Sequence, residues 1–321
     1  MKRFPLTVLT AALALAPLLG HAQAFPEKPI TFVVPFAAGT ATDQIARALG
    51  TQITAETKQA VVIDNRAGAS GFIASQNVAK APADGYTVLI TTNTTHAANE
   101  HLFKKLPYDP VKDFSPVAAL GKGGQIMVVN PTFPAKSVAE FIALAKKEPG
   151  KYSFGSGSSS SRMAGELLQQ MADIKLLHVP YKSNTLAVTD LLGGQINMMI
   201  TDTATGLPQV KAGKLRALGF SSSTRSALAP DVPTIAEAGV KGYEMGYWFA
   251  AYAPAKTPPA VVKRLNELLV KAAKSEAAKT AFYEPTGTEV FTSSPEELGK
   301  FQAGESQKWG RIVKAAGIEA E

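Results

Sequence analysis

The sequence predicts an α/β protein in two lobes, and three observations carry that prediction. Apolar runs of five or six residues, rich in β-branched side chains, alternate with longer amphipathic stretches, the pattern of βαβ units and mostly parallel sheets. The first run leads into a corner, Ile30-Thr31-Phe32-Val33-Val34-Pro35-Phe36-Ala37-Ala38-Gly39-Thr40-Ala41-Thr42-Asp43. Strand, small-residue loop and helix start follow one another there, and in an open α/β sheet such corners bind small anions. Finally, of 321 residues, about 300 remain once a leader is set aside, more than one core usually fills.

The leader comes first. Met1-Lys2-Arg3 is a positive start, Leu6 to Leu19 is apolar apart from Pro17 and a few small residues, and small residues offer cleavage after Ala22 or Ala24. That is a signal peptide over residues 1–24, too short to span a membrane comfortably. A soluble periplasmic protein is therefore expected. With no cysteine in the chain, neither a disulfide nor a lipidated N-terminal cysteine is available.

The elements then follow in order. Pro35 stops the first strand, and Thr42-Asp43, both good N-caps, precede a periodic apolar stretch that runs to about residue 54. A strand over 60–64 follows, then Gly68-Ala69-Ser70-Gly71 opens a helix to residue 81. Asp84-Gly85 turns into a strand over 86–92, which ends in the polar loop Thr92-Asn93-Thr94-Thr95-His96. Further strands are predicted at 125–129, 152–156, 176–180, 196–201, 216–221 and 248–253. Helices at 137–147, 160–172, 184–192 and 205–212 lie between them, and the tail from 258 to 316 reads as helical apart from 285–292.

Charge and motif content exclude several function classes. Without Lys2 and Arg3 the 33 basic residues fall to 31 against 26 acidic ones, a net charge of +5. The lysines are spread over helix surfaces, as at Lys271, Lys274 and Lys279, so nothing resembles a nucleic-acid interface. No nucleophile elbow, Walker loop or cysteine nucleophile occurs. His96 and His101 are five apart and do not share a helix face, and no acidic cluster accompanies them, so no metal site is expected.

Three features carry binding chemistry. Gly155-Ser156-Gly157-Ser158-Ser159-Ser160-Ser161-Arg162 has the shape of a phosphate loop but lacks its third glycine; it reads better as hydroxyls and amides facing a carboxylate. Ser160 or Ser161 is the expected N-cap. Arg162 stands in the first helical turn, where a cation opposes the macrodipole; it either pairs with Glu166 on the surface or holds a ligand carboxylate. The aromatic cluster Tyr243, Tyr247, Trp248, Phe249 and Tyr252 either packs a core or, through Trp248, lines a cleft between lobes.

Motifs throughout the chain identify a family. Phe25-Pro26-Glu27-Lys28-Pro29-Ile30, Asn65-Arg66-Ala67-Gly68-Ala69, Ala83-Asp84-Gly85-Tyr86, Leu106-Pro107-Tyr108-Asp109-Pro110 and His178-Val179-Pro180-Tyr181-Lys182 occur in order. Asp190-Leu191-Leu192-Gly193-Gly194-Gln195, Asp231-Val232-Pro233-Thr234 and Lys308-Trp309-Gly310 continue the series. The sequence resembles the substrate-binding proteins of tripartite tricarboxylate transporters, the Bug family. That resemblance implies a two-domain Venus-flytrap fold closing on its ligand by hinge motion, with domain 1 at 25–124 plus 250–321 and domain 2 at 125–249. It implies no catalytic residue and no cofactor, and a monomer that serves an inner-membrane transporter of one large and one small subunit.

The resemblance also implies that two domain-1 loops grip a ligand carboxylate through amides and waters. The residues expected to bind are Phe36, Ala37, Ala38, Gly39, Thr40, Ala41 and Asp43 in the first loop, and Thr92, Asn93, Thr94 and His96 in the second. Across the cleft they are Ser158, Ser159, Ser160, Arg162, Tyr181, Asn184, Asp202 and Trp248. This chain departs from the family pattern: Gly39-Thr40-Ala41 replaces a glycine pair, Arg162 replaces a residue often histidine, and Ser183-Asn184 follows Tyr181-Lys182. The added hydroxyls and cation suggest a dicarboxylate, with Trp248 or Phe36 stacking favouring an aromatic one such as terephthalate. A periplasmic sensor for a receptor histidine kinase would share the same binding step.

Overall fold

The computed structural model describes residues 25–315 and 317–320; the expected signal peptide lies outside them. In chain order the elements are β1 (Ile30–Val34), α1 (Ala41–Thr57), β2 (Val61–Asn65), α2 (Phe72–Ala79), β3 (Thr87–Thr92), α3 (Asn99–Leu102) and β4 (Phe114–Val129). Then come α4 (Val138–Lys147), β5 (Ser153–Ser156), α5 (Ser159–Ala172), β6 (Leu177–Pro180), α6 (Asn184–Leu192), β7 (Met198–Asp202), α7 (Thr203–Lys211) and β8 (Arg216–Phe220). The return strand β9 (Gly246–Pro254) precedes α8 (Pro259–Lys274), α9 (Glu276–Ala278), α10 (Glu284–Thr286) and α11 (Pro295–Ala315).

The strands order as β2-β1-β3-β9-β4-β7-β5-β6, with β8 also on β4. In the first half β1 lies parallel between β2 and β3. In the second, β5 lies parallel between β6 and β7. These are the βαβ units expected, and β1 buries four of its five side chains, as a strand covered on both faces should. The sheet is mixed, however, because β9 runs antiparallel to β3 and β4, and β4 antiparallel to β7 and β8.

Strand β4 joins the halves. Residues Phe114 to Gly124 pair with β9, whereas Gln125 to Val129 pair with β7 and β8. Only 125–129 was expected as strand. The preceding stretch carries Pro116, Gly121, Gly123 and Gly124, residues depleted from strands; Pro116 and Gly121 adjoin register shifts that absorb them. The return strand begins at Gly246, opposite Gly124, so the chain re-enters the first sheet earlier than 250. The tail is helical as expected, with Glu289 bonded both ways to the Lys122 backbone, at 3.1 and 2.8 Å.

Candidate ligand-binding site

A narrow cavity of about 40 Å³ lies where the two sheet halves meet, among the carboxyl ends of β1, β3, β5 and β7. Its wall includes Phe36, Thr40, Ala41 and Thr42 from the first corner, Thr92 from β3, and Gln125 from β4. Gly157, Ser158 and Ser160 come from the start of α5, Asn184 from α6, Asp202 from the start of α7, and Tyr247 and Phe249 from β9. Four helices thus turn their N-termini toward one cavity. The leading N–H groups of a helix have no acceptor within it and carry the positive end of its dipole. An anion fits that arrangement, and hydroxyls of Thr40, Thr42, Thr92, Ser158 and Ser160 surround it.

The first corner is held open by its own side chains. Gly39 has φ +81°, a left-handed conformation that favours glycine. Asp43 accepts from the Gly39 N–H at 2.9 Å, from Asn65 Nδ2 at 3.0 Å and from Arg47 at 2.9 Å on each oxygen. Burial tends to raise the Asp43 pKa, but these donors outweigh it and hold the carboxyl below its ordinary value. Asn65 also donates to the Phe36 carbonyl at 3.0 Å, and Thr40 Oγ1 donates to the Ala37 carbonyl at 2.7 Å. The corner is therefore shaped before any ligand arrives.

The opposite wall is equally fixed. Ser158 caps α5, accepting from the Ser161 N–H at 3.2 Å. Asn184 accepts from the Gly157 N–H at 2.9 Å and donates to Asp202 at 2.9 Å. Asp202 in turn caps α7, accepting from the Thr205 N–H at 2.9 Å and its hydroxyl at 2.7 Å. Hydrogen bonds also tie the halves together. Ser159 Oγ donates to Asn99 Oδ1 at 2.9 Å, and Tyr247 Oη lies 3.2 Å from Thr203 Oγ1 and 3.0 Å from Thr288 Oγ1.

Phe36, Gly157 and Ser158 also border a second, larger chamber of about 390 Å³. Its charged wall is cationic: Arg162 and Lys182 face it, with His178, Tyr181 and Ser156 beside them. His178 Nε2 lies 2.7 Å from Ser156 Oγ. Arg162 meets Glu166 at 3.9 Å, and burial raises the Glu166 pKa despite that cation. Among the described residues, Asp202 is by contrast the one charged residue in the wall of the inner chamber.

The family described as the tripartite tricarboxylate transporter family receptor, TctC, matches residues 45–318. The chain belongs to this family. Protein BugT of Bordetella pertussis is 35% identical over 97% of this chain and 95% of its own length. A Rhodopseudomonas palustris protein, Rpa4515, solved with adipate, superimposes with TM-score 0.90 at 34% identity, covering 92% of this chain and all of that one. MatC from the same organism, with bound malate, gives TM-score 0.85 at 31% identity over 90% of this chain and all of its own. The protein is thus a solute-binding receptor of the TctC type.

Within this TctC receptor the expected binding residues separate into three groups. Phe36, Thr40, Ala41, Thr92, Ser158, Ser160, Asn184 and Asp202 come together around the inner chamber. Arg162, Tyr181 and Ser159 border the outer one, where Tyr181 also donates to Asp190 at 2.8 Å. The remainder lie elsewhere. Ala37, Ala38 and Gly39 sit on the outer side of the corner, and Asp43 is enclosed by its donors. Asn93 donates to the Gly246 carbonyl at 3.1 Å, and Thr94 is buried behind Thr92.

His96 and Trp248 need correction as cleft residues. His96 is fully buried and stacks on Tyr252 at 3.8 Å, with Nδ1 2.8 Å from Thr95 Oγ1; burial pushes its pKa down to about 3. Trp248 donates to Glu305 at 3.2 Å and packs edge-on against Phe301. Successive strand residues face opposite sides, so Tyr247 and Phe249 reach the cavity and Trp248 turns away. Period-two reading of β9 would have found that pair. Gln125, Gly157 and Thr42 were also missed as wall residues; Gln125, a polar residue opening an otherwise apolar run, was the available signal.

Proposed function

We propose that this receptor captures a small dicarboxylate in the periplasm, between lobes hinged on β4 and β9, and hands it to a membrane transporter. The observation that carries the proposal is the convergence of the α1 and α5 N-termini on a slot whose wall, among the described residues, contains no cation. Such a slot suits one carboxylate, held by amides and hydroxyls. About 40 Å³ amounts to roughly three water-sized spaces, enough for one such group and not for a whole tricarboxylate. The second carboxylate passes Phe36 and Ser158 into the outer chamber, where Arg162 and Lys182 supply positive charge.

Adipate in one relative and malate in another support this ligand class. Phe36 flanks the passage, so an aromatic dicarboxylate such as terephthalate belongs among the candidates. Among the described residues no helix is long and apolar enough to cross a membrane. A thermal-shift screen of mono-, di- and tricarboxylates tests the reading. A ligand at a hundred times its Kd adds about 2.7 kcal/mol to native stability, so true ligands stand out. Dicarboxylates should stabilise more than monocarboxylates, and Arg162→Ala should remove that advantage. Equal stabilisation by both classes, or equal weakening of both in the variant, overturns the two-chamber assignment.

A further inference from the structure

Asn99 opens α3 in the first lobe, and Ser159 opens α5 in the second. Both are buried, Asn99 completely and Ser159 to 5% exposure. Every polar atom of the Asn99 side chain is engaged. Its Nδ2 donates to the Ser70 carbonyl at 2.9 Å and to Tyr108 Oη at 3.2 Å, and its Oδ1 accepts from Ser159 Oγ at 2.9 Å. A carbonyl only accepts, so Ser70 fixes which end of the amide is the donor. Tyr108 Oη in turn donates to the Thr95 carbonyl at 2.9 Å. Contacts within the first lobe therefore hold Asn99 Oδ1 toward Ser159.

The serines that begin α5 divide between two tasks. Ser158 and Ser160 line the inner chamber, whereas Ser159 borders the outer one and commits its only hydroxyl proton to Asn99. Neither Asn99 nor Ser159 belongs to β4 or β9, the strands that join the lobes, so this bond exists only while the lobes are together. Tyr247, by contrast, lies on β9 itself. We propose that Ser159 and Asn99 are positioning residues for capture. They latch the α5 N-terminus against the first lobe, and Ser159 makes no hydrogen bond of its own to the ligand. This inference rests on the lobe-closing reading above and adds the contact that sets how often the closed form is reached. A receptor that is competent for a fraction of the time binds with its intrinsic Kd divided by that fraction. The latch thus strengthens every ligand by one common factor, whatever its length or number of carboxylates.

Equilibrium titration and stopped-flow kinetics of the whole mature protein with propionate, succinate and adipate test the latch. In Ser159→Ala all three should bind about fivefold more weakly, the size of one buried hydrogen bond. The loss should lie in the dissociation rate, because a ligand enters the open form, in which this bond is absent. Arg162→Ala is the contrast and should weaken succinate and adipate alone. Added to Asn99→Ala, the Ser159→Ala change should cost nothing further, since its partner is already gone.

Unchanged affinity for all three probes in Ser159→Ala overturns the latch. Weakening confined to succinate and adipate also overturns it, by making Ser159 a contact for the second carboxylate, and leaves the dicarboxylate reading intact. Wild-type protein that binds propionate as tightly as the dicarboxylates defeats the two-chamber reading, while a common fivefold loss still upholds the latch. Binding of none of the three defeats both. If Asn99→Ala does not fold, the affinities and rates of Ser159→Ala decide alone.

Discussion

Replacing Gly157 with alanine tests whether the chamber wall is as rigid as its contacts imply. A Cβ at that position would lie 1.9 Å from the Ser183 carbonyl carbon, 2.2 Å from the Asn184 nitrogen and 2.3 Å from the Ser183 oxygen. All three are backbone atoms at the start of α6, so no rotamer change relieves the clash. Gly157 is not among the glycines with positive φ, so the effect is steric and not conformational. Restoring ordinary contact requires the two segments to separate by about 1.5 Å. That movement takes the Gly157–Asn184 bond, 2.9 Å long, beyond hydrogen-bonding range. Overpacking of this kind costs about 1–3 kcal/mol and the lost bond about 1 kcal/mol. Together they lower Tm by roughly 4–8 °C in a protein of this size. Ligand affinity falls too, because Asn184 and Ser158 flank the displaced segment. Differential scanning fluorimetry and titration with a bound carboxylate measure both. A Gly157→Ala protein with wild-type Tm and wild-type affinity would show that α6 yields freely and that the wall is not fixed by this contact.

Two further predictions concern the buried tie across the hinge and the buried histidine. Tyr247→Phe removes the hydroxyl between Thr203 and Thr288; burial raises that phenol to about 12, so it stays protonated at neutral pH. Its loss should cost about 1–2 kcal/mol and weaken ligand binding several-fold, and unchanged Tm and Kd would discount the tie. His96 is held neutral, with a folded pKa of about 3 against 6.5 ordinarily, so from pH 6.5 down to about 3 the unfolded state binds one more proton than the folded. Its contribution to stability is intact above pH 6.5 and falls by up to about 1.4 kcal/mol per pH unit below it. Urea denaturation of His96→Gln between pH 6.5 and 4 should therefore show a shallower pH slope than wild type; identical slopes would mean the ring protonates in place.

Much of the fold is legible where local rules act alone. Ile30 to Val34 announce a buried strand by their β-branched run, Gly39 its turn, and Ser158 lies in a serine-rich stretch that must begin a helix. Even so, the N-caps fall at Thr40 and Ser158, two or three residues before the expected ones, because small polar residues in series offer several equivalent caps. What local rules could not reveal was fixed by pairing between distant segments. Phe114 to Gly124 form a strand because β9 lies beside them, and Tyr247 and Phe249 face the cavity because of the register of that pairing. Asp43 looked like a ligand group because of its place in a loop; its actual partners, Arg47 and Asn65, come from one turn along α1 and from β2.

The division of charge between the chambers follows from that geometry. A lysine or arginine in the narrow slot would have to be desolvated, which is expensive unless a partner is always present. Helix N-termini supply positive potential without a side chain to bury, and they are in place before the ligand arrives. The slot can therefore be lined by Thr40, Ala41, Ser158 and Ser160 and still attract an anion. Asp202 can stand beside them because four helix starts and the Asn184 and Thr205 donors offset its charge. Long cationic side chains are tolerated in the roomier outer chamber, where Arg162 and Lys182 keep contact with water. In this proposed arrangement the inner chamber reads a carboxylate through short, fixed groups. The outer chamber reads the far end of the ligand through longer ones. Discrimination among dicarboxylates of different length then falls to the outer chamber.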